Sequence, residues 1–132
     1  MCLNSNDEFL ILRRSKIDKR AGRWTMPGGH IDDEDGSIEK GAVRELEEEA
    51  GLRCDMSDLI YMGEPKKKKH YYLTQNWAGD VNVDKPNPHT GEIEHDAYKW
   101  ASVEQIKRLE NSEIPIYLLE KALEKVKNET SI

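Results

Sequence analysis

Phe9-Leu10-Ile11-Leu12 is a continuous apolar run, bounded by the polar turn Asn4 to Asp7 and by a basic, glycine-containing stretch from Arg13 to Gly22. Its length and its flanks predict a buried strand. The period then changes. Ala42, Val43, Leu46 and Ala50 recur at helical spacing, and Gly51 is suited to close that helix. Further on, Ile60-Tyr61-Met62 reads as a short strand, and His70 to Trp77 as a longer one rich in β-formers. The stretch from Asp84 to Gly91, with two prolines and a glycine, is a loop, and Glu94 to Trp100 is strand-like again. Ser102-Val103-Glu104-Gln105 has the form of a capping box, opening a helix that turns Ile106 and Leu109 inward. A last helix follows Pro115, with Leu119, Ala122, Leu123 and Val126 at helical spacing. No internal repeat or low-complexity tract interrupts the series. Strands mixed with two or three helices predict an α/β sandwich.

The polar side of the helix around Leu46 changes the picture. Glu45, Glu48 and Glu49 stand at i, i+3 and i+4, so their carboxylates crowd one face. Such a face repels itself until a hard cation neutralises it, and Mg2+ and Mn2+ prefer oxygen ligands. The competing reading is a solvated acidic face, commonplace in a chain that is 35% charged. The preceding segment, Arg23-Trp24-Thr25-Met26-Pro27-Gly28-Gly29, favours the metal, because glycines let a backbone approach an anionic ligand closely.

Gly29 together with Arg44-Glu45-Leu46-Glu47-Glu48-Glu49-Ala50-Gly51-Leu52 resembles the Nudix hydrolase signature, G-x5-E-x7-R-E-U-x-E-E-x-G-U with U aliphatic. The second half matches at every defined position. The first half departs from it: counting from Gly29, the glutamate position falls on Asp35, nine residues before Arg44 where the pattern has eight. One residue is inserted. In the family that glutamate looks mainly structural, pairing with the arginine, and here either Asp35 or Glu34 is a candidate for the part. The resemblance extends to Glu8–Arg14 as the strand before the loop and to Trp24–Gly29 as the entry to the signature.

This resemblance sharpens the fold to a Nudix-like α/β/α sandwich with a mixed β-sheet, one domain over residues 1–132. Only Met1-Cys2-Leu3 precede the first turn, so the family's opening strand is expected to be shortened. The chemistry it implies is Mg2+-dependent hydrolysis of a pyrophosphate bond, with Mn2+ as a substitute. Glu45, Glu48, Glu49 and Glu94 are the expected metal ligands, and Arg44, Glu45 and Glu48 the expected catalytic set. Glu45 is the first candidate for general base, with Glu48 the next. Glu94 enters because Glu94 to Trp100 resembles the E-x5-W segment of bacterial antimutator 8-oxo-dGTP pyrophosphohydrolases; a surface carboxylate is the alternative. Gly28, Gly29, His30 and Arg14 are the expected substrate contacts. For His30 the alternative is orienting the loop, and for Arg14 a solvated arginine.

The substrate is a small nucleotide, in first place a nucleoside triphosphate cleaved to the monophosphate and pyrophosphate. Nucleotide sugars and capped RNA ends are the alternatives among enzymes, and a nucleotide-binding module without catalysis is the alternative outside them. Lys68 and Lys69 occupy the places where relatives acting on ADP-ribose or diadenosine polyphosphates carry Pro or Tyr. Near Pro115, where the antimutator group has a base-reading Asn, this chain has Glu113. The net charge of −6 argues against extended nucleic-acid binding. The Lys66–Lys69 run is either a phosphate attractor or a solvated loop. Trp24, Trp77 and Trp100 are expected in the core or sheet, with no one of them marked as a base stacker.

No run of about 18 apolar residues exists to span a bilayer, and the first residues lack a basic start followed by an apolar core. The expectation is a cytoplasmic protein without membrane partners, as a monomer or homodimer. Cys2 and Cys54 form no metal-binding spacing and read as free thiols.

Overall fold

A computed structural model describes residues 1–28, 35–66 and 69–130. The organising element is β1, Phe9–Arg14, whose first four side chains are fully buried. Successive strand residues face opposite sides. Phe9 and Ile11 therefore enter one core with Ile106, Leu119 and Ala122, while Leu10 and Leu12 enter another with Leu46, Ala50 and Leu52. Helices cover both faces as an α/β/α sandwich requires: α1, Ile38–Ala50, on one side, and α2, Val103–Lys107, with α3, Ile116–Thr130, on the other.

β1 lies between β2, Trp24–Thr25, and β5, His95–Ala101, and is antiparallel to both. β3, Ile60–Lys66, and β4, Lys69–Leu73, form a separate antiparallel pair. Cys2 and Leu3 join the two sheets. Cys2 makes a parallel bridge to Thr74 and Leu3 an antiparallel one to Phe9. Leu3 N–H donates to the Thr74 carbonyl at 3.1 Å, and Leu10 N–H to the Cys2 carbonyl at 3.0 Å. The expected shortened strand is thus a two-residue seam that supplies the parallel component of a mixed arrangement.

The helix boundaries follow their capping residues. Ser37 Oγ accepts from Lys40 N–H at 3.1 Å at the start of α1, and Gly51 closes it at φ 75°. Ser102 and Gln105 form the expected capping box. Three details differ from expectation. β4 ends at Leu73 rather than running to Trp77, because Thr74 Oγ1 accepts from Asn76 N–H at 3.2 Å and turns the chain. β3 extends to Lys66. On α1, Gly41 is buried while Ala42 and Val43 are only half-buried. Trp77 and Trp100 stack at 5.2 Å between ring centroids, and Trp24 lies in β2. Both cysteines are free thiols, and burial pushes the Cys2 thiol up to about 11.

Candidate active site

Burial of Leu46 and Ala50 against Leu10 and Leu12 of β1 sets the rotation of α1, which brings Arg44 to Asp35 and Glu49 to Gly28. Arg44 organises the first part of the site. Its guanidinium grips Asp35 with two bonds, Nε to Oδ1 at 2.6 Å and Nη2 to Oδ2 at 3.0 Å. The fork matches a carboxylate's geometry, and the Asp35 side chain is only 7% exposed. Nη1 reaches Glu48 Oε2 at 2.7 Å, and Nη2 lies 3.1 Å from Glu45 Oε1. Of the two acids open from the sequence, Asp35 is therefore a partner of Arg44. Its hydrogen bonds, foremost, raise the guanidinium's pKa, so Arg44 is charged at any ordinary pH.

Glu49 faces the other way. Its Oε2 accepts the Gly28 backbone N–H at 2.5 Å, tying the incoming loop to the helix. Opposite stand Glu94 and His95, brought there by strand pairing: Arg14 ends β1 in register with His95 at the start of β5. One ligand atom each from Glu49, Glu94 and His95 lie within 4.8 Å of one another. Glu94 is held from both sides. Asn87 Nδ2 donates to its carboxylate at 2.7 Å, and the backbone N–H of buried Ser15 donates to its carbonyl at 2.8 Å.

The electrostatics are those of carboxylates awaiting a countercharge. Burial raises the Glu49 carboxyl to about 8, opposed by the Gly28 bond and reinforced by Glu45 and Glu94. Burial also raises Glu45, with Arg44 opposing and Glu48 and Glu94 adding to the rise. Burial lowers His95, and Arg14 lowers it further. Carboxylates that strain to stay protonated beside a neutral imidazole fit a divalent cation, whose charge would reverse the penalty.

The remaining expected site residues divide. Glu48 is drawn to Arg44 rather than into the Glu49–Glu94–His95 group. Arg14 is not a solvated arginine: Nε donates to Glu113 at 2.6 Å and Nη1 to Asp18 at 3.2 Å. Glu113 also accepts from Arg20 at 3.3 Å, so the carboxylate at the expected base-reading place is engaged by two arginines. Gly29 and His30 lie outside the described residues, as do Lys67 and Lys68. His95 and Asn87 had not been singled out from the sequence. The available signal for His95 was its position beside Glu94 at the opening of a strand.

A model of the NUDIX domain matches residues 1–121. The RNA pyrophosphohydrolase of Erythrobacter litoralis (strain HTCC2594) is 28% identical over 131 residues, covering 80% of this chain and 75% of that protein. Nudix hydrolase 15, mitochondrial, of Arabidopsis thaliana is 32% identical over 102 residues, 71% of this chain, and the match spans 36% of that longer protein. Among solved structures, the MutT protein from Methanosarcina mazei Go1 aligns over 100% of this chain and 91% of its own, with 27% identity and a TM-score of 0.56.

Proposed function

The chain belongs to the NUDIX domain family, and on that premise we propose that it hydrolyses the pyrophosphate bond of a nucleoside diphosphate-linked substrate, in first place a nucleoside triphosphate, with Mg2+. The observation that carries this reading is the meeting of α1 with the start of β5, where Glu49, Glu94 and His95 converge beside Glu45. Glu45, Glu49 and Glu94 would hold the cation, with Glu48 reaching it on release from Arg44. When bound, the cation neutralises phosphate oxygens and acidifies an attacking water.

The chain's own groups divide the remaining work. Glu45 is the foremost acceptor for the water's proton, with Glu48 the next; both contact Arg44, which positions them while its other bonds go to Asp35. Arg14, aligned by Glu113 and Asp18, brings positive charge near Glu49 and is suited to meet substrate phosphate. The Gly28 loop is pinned to Glu49, which places Gly28 beside the carboxylates for a phosphate contact, and Gly29 and His30 join it on the sequence resemblance alone.

A second reading, attack on the triphosphorylated end of RNA, is favoured by the E. litoralis relative, named as an RNA pyrophosphohydrolase. The net charge of −6 favours the small nucleotide, since a polynucleotide gains most from a basic surface. Separating the nucleotide, sugar-phosphate and pyrophosphate products formed from nucleoside triphosphates, nucleotide sugars and 5′-triphosphorylated RNA, with and without Mg2+, distinguishes the two. Wild type should turn over with Mg2+, and Glu48→Gln and Glu45→Gln should each lose about 10²-fold or more. No turnover on any diphosphate-containing compound, or full activity in Glu48→Gln, refutes the hydrolase reading and leaves the binding module.

A further inference from the structure

His95 is 4% exposed and its ring makes no hydrogen bond to a described residue; since no fully buried side-chain nitrogen or oxygen among the described residues lacks a partner, the unbonded ring nitrogen is one that opens to solvent, where a ligand can reach it. Its backbone explains where the ring goes. His95 pairs with Arg14 at the irregular end of the β1–β5 ladder, and the ring comes within 4.8 Å of both Glu49 and Glu94. Glu94 itself is steadied by Asn87, and Glu49 by Gly28, so each carboxylate keeps lone pairs for another ligand.

We propose that His95 supplies an imidazole nitrogen to the same divalent cation that Glu49 and Glu94 hold, making a mixed nitrogen and oxygen site that favours Mn2+ or Co2+ over Mg2+. The assignment rests on the metal-dependent reading above. Two ligands of one ion at about 2.1 Å each stand at most about 4.2 Å apart, so the three groups need to close by less than about 1 Å. Mg2+ takes oxygen ligands in near-ideal octahedral geometry, whereas an imidazole suits later first-row ions, in rising order from Mn2+ through Co2+. A carboxylate pair with one imidazole therefore shifts selectivity without excluding Mg2+.

The test is electron spin-echo modulation spectroscopy on the full chain loaded with Mn2+, paired with Mn2+ and Mg2+ titrations. Wild type should show nitrogen-14 modulation from one imidazole. His95→Gln should abolish it and weaken Mn2+ binding about tenfold, with Mg2+ binding changed less than about threefold. His30→Gln and His70→Gln should keep the modulation. A wild-type spectrum without nitrogen coupling overturns the assignment, and requires no variant to fold. So does an unchanged Mn2+ affinity in a folded His95→Gln, or loss of the signal in His30→Gln. Hydrolysis without nitrogen coupling would sink the His95 ligand alone; nitrogen coupling without hydrolysis would sink the hydrolase reading and keep the ligand.

Discussion

Breaking the Asp35–Arg44 fork tests how much this ion pair adds to the fastening of Asp35 to α1. Asp35→Asn keeps the size of the side chain and removes its charge. The bond pair at 2.6 and 3.0 Å is held where Asp35 is 7% and Arg44 26% exposed, so solvent screens it only partly. Removing one member of a fully buried pair costs about 3–5 kcal/mol. Arg44 here is a quarter exposed and keeps Glu48 and Glu45, which lowers the expected loss to about 2 kcal/mol. For a domain of this size that is a fall in melting temperature of roughly 7 °C. The decisive measurement is a double-mutant cycle with Arg44→Lys, read by urea unfolding at constant m value. Because both variants disrupt the same fork, the double variant should be about 1–2 kcal/mol more stable than the sum of single losses implies. Additivity within about 0.5 kcal/mol refutes the pairing as a fastening of Asp35 to α1, as does an Asp35→Asn that melts with wild type.

Two other expectations follow from named groups. Without a bound ion, burial pushes the Glu49 carboxyl up to about 8 from its ordinary value of 4.5. A raised folded value means the stabilisation is complete below the unfolded pKa and is lost as pH rises through the folded one. The urea midpoint of the ion-free protein should therefore fall between pH 5 and pH 8.5, and Glu49→Gln or added Mn2+ should flatten the decline; an equal slope in Glu49→Gln would show that other groups set it. At the end of α1, Gly51→Ala puts a Cβ at φ 75° and 3.3 Å from the Asp80 carbonyl, and unfolding should be easier by about 1–2 kcal/mol, with equal stability contradicting the strain.

Local periodicity carried much of this structure. The helix bearing Glu45, Glu48 and Glu49 was legible because its apolar residues and its acids each repeat within one helical turn. The caps at Ser102 and Gly51 were legible because capping is a contact between near neighbours. What periodicity could not carry was partnership across long sequence separations. His95 reaches Glu49 only because β5 lies beside β1 in one register. Arg14 finds Glu113 across 99 positions, which no local pattern announces. Glu48 resembled Glu45 and Glu49 in spacing, and only the position of Arg44 one turn earlier draws it aside. The early end of β4 escaped notice for a different reason: Thr74 has high strand propensity, and its hydroxyl used that position to turn the chain instead. The inserted residue before Arg44 proved compatible with pairing, since Asp35 makes two bonds to the guanidinium.

β1 is a shared wall. Phe9 and Ile11 on one side and Leu10 and Leu12 on the other belong to a single six-residue strand, so neither core can lose its wall while the other keeps it. A cation held on the α1 side would therefore lend its free energy to α3 on the far side of that wall. The two halves are then expected to melt as one thermodynamic unit, and a cavity at Leu119 or Ala122 large enough to populate the unfolded state would weaken any cation binding at Glu49 through the folded fraction alone.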